Sequence, residues 1–100
     1  MMKQVGFNHN IRHKGILFHV QTEDYGQQLH KIVTQLFHAG QIICKAETDY
    51  RMLLKEQDAE TIAKEVKAMM KMQHKKMLQD LSNGGIAIPD NIRKKSEKAQ

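Results

Sequence analysis

One hundred residues allow one domain and a modest hydrophobic core. A single cysteine, Cys44, excludes an internal disulfide and fits a reducing compartment. No apolar run approaches the ~18 residues of a membrane span, and MMKQVGFNHN lacks the apolar core of a signal peptide, so a cytoplasmic protein with no membrane role is expected.

The net charge of +5 is spread along the chain. Residues 1–54 carry 6 basic and 4 acidic groups, residues 55–82 carry 6 and 5, and residues 83–100 carry 4 and 2. Charge spread in this way serves solubility before it argues for nucleic acid.

The first predicted element is a hairpin over VGFNHNIRHKGILFHVQTED, residues 5–24, turning at Lys14-Gly15. The two-residue turn places 11 opposite 18, 10 opposite 19 and 8 opposite 21. Side chains alternate between faces with period two. Phe7, Ile11, Ile16, Phe18, Val20 and Thr22 then share a buried face with His9. Asn8, Asn10, Arg12, Leu17, His19, Gln21 and Glu23 share the other. Asparagine is depleted in strands because its side chain competes for backbone hydrogen bonds. Asn8 and Asn10 therefore form either a solvated ladder or a recognition surface.

Asp24–Gln28 reads as a linker punctuated by Gly26. HKIVTQLF (30–37) and IICKAET (42–48) read as two further strands joined by a three-residue loop, Ala39-Gly40-Gln41. That loop places 36 opposite 44 and 34 opposite 46. It sends Ile32, Thr34, Leu36, Ile42, Cys44 and Ala46 to one face. Val33, Gln35, Phe37, Ile43, Lys45 and Glu47 go to the other. YRMLLK (50–55) reads as a short extra turn or helix.

From about residue 57 the apolar period changes to about 3.6. Asp58 is a candidate cap. Ile62, Val66, Met69, Met70, Met77, Leu78 and Leu81 form one helical stripe, with Met72 beside it. Acidic Glu56, Asp58 and Glu60 near the start and Lys75 and Lys76 near the end complement the helix dipole. Asn83-Gly84-Gly85 ends the helix.

The fold expected is α+β: a four-stranded antiparallel sheet of two hairpins packed on one long C-terminal helix. Residues 1–85 form the domain. Residues 86–100 form a basic, flexible tail whose first part, with Ile86, Ile88, Pro89 and Ile92, can dock on the body, and whose last part is RKKSEKAQ.

Several motifs carry a resemblance. Phe7-Asn8-His9-Asn10-Ile11-Arg12, Gly15, Phe18-His19-Val20-Gln21-Thr22-Glu23-Asp24 and Gly26 form the first block. Leu36-Phe37-His38 with Gly40, the Tyr50 segment and Gln73-His74-Lys75 follow. On these motifs the chain resembles a family of small uncharacterised bacterial proteins over roughly residues 6–85. The resemblance implies no activity and no catalytic residue.

Six histidines invite a metal, but no C-x-x-C spacing occurs, and His9 and His19 fall on opposite faces. Polar or core-edge roles suit them better, and no metal or cofactor is expected. Cys44 faces the helix as a small hydrophobe. His19, Glu23 and Asp24 flank no recognisable nucleophile or phosphate cradle, so no enzyme is expected.

Two surfaces are candidates for binding. On the outer sheet face, Asn8, Asn10, Leu17, His19, Gln21, Glu23, Phe37 and Ile43, with Val33, combine an apolar patch with a polar border. This suits a protein partner or self-association, through that face or through an exposed strand edge. On the helix, Lys64, Lys67, Lys71 and Lys75 form a basic row that, with the basic tail, could hold phosphates. An adaptor or regulatory module is the leading expectation, and a nucleic-acid-binding module the alternative.

Overall fold

The computed structural model describes residues 5–55 and 58–93. Strand β1 (Phe7–His13) turns through Lys14-Gly15 into β2 (Ile16–Asp24). Lys14 has φ 51° and Gly15 φ 80°, the paired positive angles of a turn whose twist matches that of the strands it joins. Asn8 lies opposite Gln21 and Asn10 opposite His19, the register the sequence dictates.

The segment read as a linker contains a single helical turn, α1 (Gly26–Leu29). Asp24 anchors it. Its buried carboxylate accepts hydrogen bonds from the Gly26 amide at 2.8 Å and the Tyr50 hydroxyl at 2.6 Å. His30, with φ 48°, then turns the chain into β3 (Lys31–His38).

β3 and β4 (Gln41–Asp49) meet differently from the expected three-residue loop. Only Ala39 (φ 48°) and Gly40 (φ 85°) form the turn, so Phe37 lies opposite Ile42. A β-bulge follows, and beyond it Leu36 lies opposite Cys44 and Thr34 opposite Ala46, as expected. One extra residue in a bulge breaks the alternation of faces. Ile43 therefore packs against the core cluster on the helix side, and its expected outer-face position is corrected. Ile42, also assigned to the opposite face, stands beside Phe37 and is 54% exposed.

The four strands form one antiparallel sheet in the order β1-β2-β3-β4. A 3₁₀ turn (Arg51–Lys55) leads to helix α2 (Ala59–Ser82). Asp58 caps α2, its carboxylate accepting from the Thr61 amide at 2.7 Å. Glu56 lies outside the described residues. At the far end the Gly85 amide donates to the Asp80 carbonyl at 2.8 Å, past Gly84 in the left-handed region.

Helix α2 lies on one side of the sheet and builds two apolar clusters. Ile16, Phe18, Val20, Leu36, Met77, Leu81 and Ile92 form one; Ile32, Tyr50, Ile62, Val66 and Met70 form the other. Ile92 is 2% exposed, and Ile86 and Ile88 pack beside the first cluster. The packed body thus runs past Gly85 to the turn at Pro89, whose carbonyl accepts from the Ile92 amide. Of RKKSEKAQ, residues 94–100 lie outside the described residues. No helix among the described residues is long and apolar enough to cross a membrane.

Candidate functional site

The outer face of the hairpin places His19 between two amides. Its Nδ1 lies 2.8 Å from Asn10 Oδ1 and its Nε2 3.2 Å from Asn8 Oδ1. Asn8 and Asn10 sit at i and i+2 on β1, so their side chains emerge on the same face as His19 of β2. A neutral imidazole donates from one nitrogen and accepts at the other, whereas an imidazolium donates from both.

β2 pairs with β3 so that His19 lies opposite Phe37, the two ring centroids 6.2 Å apart. Leu17, 47% exposed, sits at one end of this pair. Gln21 lies at the other, its amide donating to Glu23 Oε1 at 2.6 Å. Asn10, Leu17, His19, Gln21, Phe37 and Gly40 line an open hollow of about 340 Å³. Val33 shares this side of the sheet but is only 2% exposed, so it supports the surface without contributing to it. The structure thus gathers seven of the eight expected outer-face residues: Asn8, Asn10, Leu17, His19, Gln21, Glu23 and Phe37. Ile43 leaves the group and Ile42 takes its place.

A second polar constellation lies under the helix and escaped the sequence reading. Thr48 donates to Gln73 Oε1, and Gln73 Nε2 donates to Thr34 Oγ1 at 2.9 Å. Thr34 and Thr22 hydroxyls are 2.7 Å apart, and Thr22 is 2.7 Å from His74 Nδ1. His74 Nε2 is 2.7 Å from His9 Nδ1. The Gln73 amide donates to Thr34, and with the proton of a neutral His74 on Nε2 the rest of the chain is satisfied in one direction. Thr34 donates to Thr22, Thr22 to His74 Nδ1, and the His74 Nε2 proton goes to His9. One residue from each strand takes part, and the belt runs between the two apolar clusters.

Burial, then the nearby His9 and His19, holds the His74 imidazolium below its ordinary value of 6.5. His9 lies on the helix side as expected, but it is exposed at the sheet edge and not enclosed. The sequence signal was available: the apolar stripe of α2 has a gap between Met70 and Met77, and Gln73 and His74 fill it.

The remaining candidates are accounted for structurally. Asp24 is committed to Tyr50 and Gly26, and burial with the Asp24 carboxylate behind it pushes the Tyr50 phenol well up. Cys44 is half-buried against the core. His38 Nδ1 bonds the Leu17 carbonyl at 2.9 Å. Among the described residues no three His, Cys, Asp or Glu side chains converge as a metal site. Lys64, Lys67, Lys71 and Lys75 are all exposed on α2, with Glu60 3.8 Å from Lys64.

No family model, curated protein or solved structure matches the chain.

Proposed function

We propose that this chain is a small non-enzymatic protein-interaction module, of adaptor or regulatory type, that seats a protein partner on the outer face of its sheet. The observation that carries the reading is the His19–Phe37 pair. An apolar ring and an imidazole fixed by two amides lie side by side, bordered by exposed Leu17 and Ile42. Apolar area supplies affinity in such a surface, and fixed donors and acceptors supply orientation. Leu17, Phe37 and Ile42 take the first role. Asn8, Asn10, His19, Gln21 and Glu23 take the second. The hairpin that carries these residues is also the core of the resemblance to small bacterial proteins, whose membership forms part of the proposal.

A pull-down with Phe37→Asp beside the wild type tests the reading. The variant should lose the partner that the wild type retains while keeping the wild-type circular dichroism spectrum. Equal retention by both proteins rejects the outer face as the contact surface.

The exposure of the lysine row on α2 favours a second reading, a nucleic-acid-binding module. Its signature is binding to mixed RNA and DNA at low salt that falls steeply with ionic strength. Charge reversal at Lys67 and Lys71 should abolish that binding; binding unchanged by the reversal rejects the row as its site.

A further inference from the structure

Strand β4 ends the sheet and, among the described residues, pairs only with β3. An open edge offers backbone donors and acceptors to any extended chain, and charged side chains restrict what can pair there. On the outer side β4 carries Lys45 and Glu47, whose ammonium and carboxylate are 2.8 Å apart. The side chains toward the helix, Cys44, Ala46 and Thr48, are small enough to let a second strand approach.

These charges select one pairing of β4 with a copy of itself. Residues directly opposite in antiparallel strands share a face, so allowed registers differ by steps of two. With Ala46 opposite Ala46 of the second copy, Lys45 meets Glu47 and Glu47 meets Lys45. One step in one direction sets Lys45 against Lys45; one step in the other sets Glu47 against Glu47. Like charges directly opposite are destabilising, so the neighbouring registers are disfavoured.

The helix flank fits the same two-fold axis. Gln73 reaches across from α2 to Thr34 of β3 and to the Ala46 carbonyl at 3.2 Å, so the helix flank beside it overlooks the middle of β4. On that side Thr48, Met69, Met72, Gln73, Lys76 and Gln79 line an open groove of about 640 Å³. Met72 is 73% exposed. A two-fold axis at Ala46 turns the two grooves toward each other above the joined β4 strands, with exposed Met72 of each copy on the facing sides. Methionine packs adaptably in contacts of this kind.

We propose that the β4 edge is a self-association surface, joining two copies into one continuous eight-stranded antiparallel sheet with both helices on the same side. The occupant is a second copy of this chain, and the Lys45–Glu47 alternation sets its register.

Charge exchange tests this by sedimentation velocity over a wide range of protein concentration. Wild type should dimerise. Lys45→Glu and Glu47→Lys should each weaken dimerisation about ten-fold or more, since each turns two attractive cross-strand pairs into repulsive ones. The double variant, Lys45→Glu with Glu47→Lys, restores opposite charges and should return the dimer. Both positions are exposed, and unchanged circular dichroism spectra show that the fold is retained. A wild type that stays monomeric overturns the proposal. So does a dimer indifferent to the single exchanges, or one the double exchange fails to rescue. Phe37→Asp leaves β4 untouched, so failure of the outer-face reading is distinguishable from failure of this one.

Discussion

His74 occupies a position where an apolar residue would continue the stripe of α2, and its charge state is tied to its neighbours. Burial under α2 is the main cause that disfavours its imidazolium, and the neighbouring His9 and then His19 add to it. The folded-state value is thus depressed below 6.5. A depressed base makes the unfolded chain the better proton binder below 6.5. The corresponding stability is fully present above pH 6.5 and is lost as pH falls through that value toward the lower folded one. Thermal melts from pH 8 to pH 5 should show a fall in Tm in the acid part of the range. His74→Gln, which keeps polar contacts but does not titrate, should give a flatter profile; equal slopes would exclude His74 as the source. Tyr50 offers a comparable test. Tyr50→Phe removes the hydroxyl that donates to the buried Asp24 carboxylate and should cost about 1–3 kcal/mol in denaturant unfolding.

At the scale of elements, the second hairpin contains the correctable local strain. Ala39 holds φ 48° in the first turn position, where asparagine or glycine is far more comfortable than alanine. Ala39→Asn should raise stability by about 0.5–1 kcal/mol, measured as a shift of the urea midpoint with unchanged slope. A destabilised variant would show that the Ala39 side chain, at the rim of the outer hollow, contributes more than its backbone strain costs. The same turn explains a limit of sequence reading. In the first hairpin, Lys14-Gly15 and strict alternation of polar and apolar residues fix both turn and register. In the second, Ile42 and Ile43 are equally apolar, so periodicity cannot tell which faces the helix, and the bulge that decides it leaves no compositional mark. The α2 stripe was legible from Ile62 to Leu81 because its spacing is helical. Its interruption by Gln73 and His74 has meaning only against Thr22, Thr34 and Thr48, which lie 25 or more residues away in the chain. The His19 seat was legible because turn length alone sets Asn10 opposite His19.

For the molecule as a whole, the packing of residues 86–93 decides where the body ends. A charged run after Asn83-Gly84-Gly85 reads as a tail, but Ile92 is as buried as the strand residues it touches, and it joins Phe18 and Leu81 in one cluster. The segment crosses the end of the sheet, with Ile86 beside Ile43 and Ile88 near Ile16. It therefore closes the core at the end opposite Tyr50 and Ile62, beyond the polar belt. Replacing a buried isoleucine by alanine removes transfer energy and leaves a cavity, typically costing about 2–5 kcal/mol. Ile92→Ala should fall in that range by chemical denaturation, and a chain ending at Gly85 should be less stable still, since it also loses Ile86 and Ile88. If the truncated chain keeps the full unfolding free energy, the segment is a tail resting on a finished core. If it is destabilised as expected, the cluster of Phe18, Val20 and Leu36 beneath the His19–Phe37 pair depends on residues distant in sequence. Mutations near the C-terminus would then weaken the outer face without touching it, because β2 and β3 hold His19 and Phe37 on one side with the same strands that bury Phe18, Val20 and Leu36 on the other.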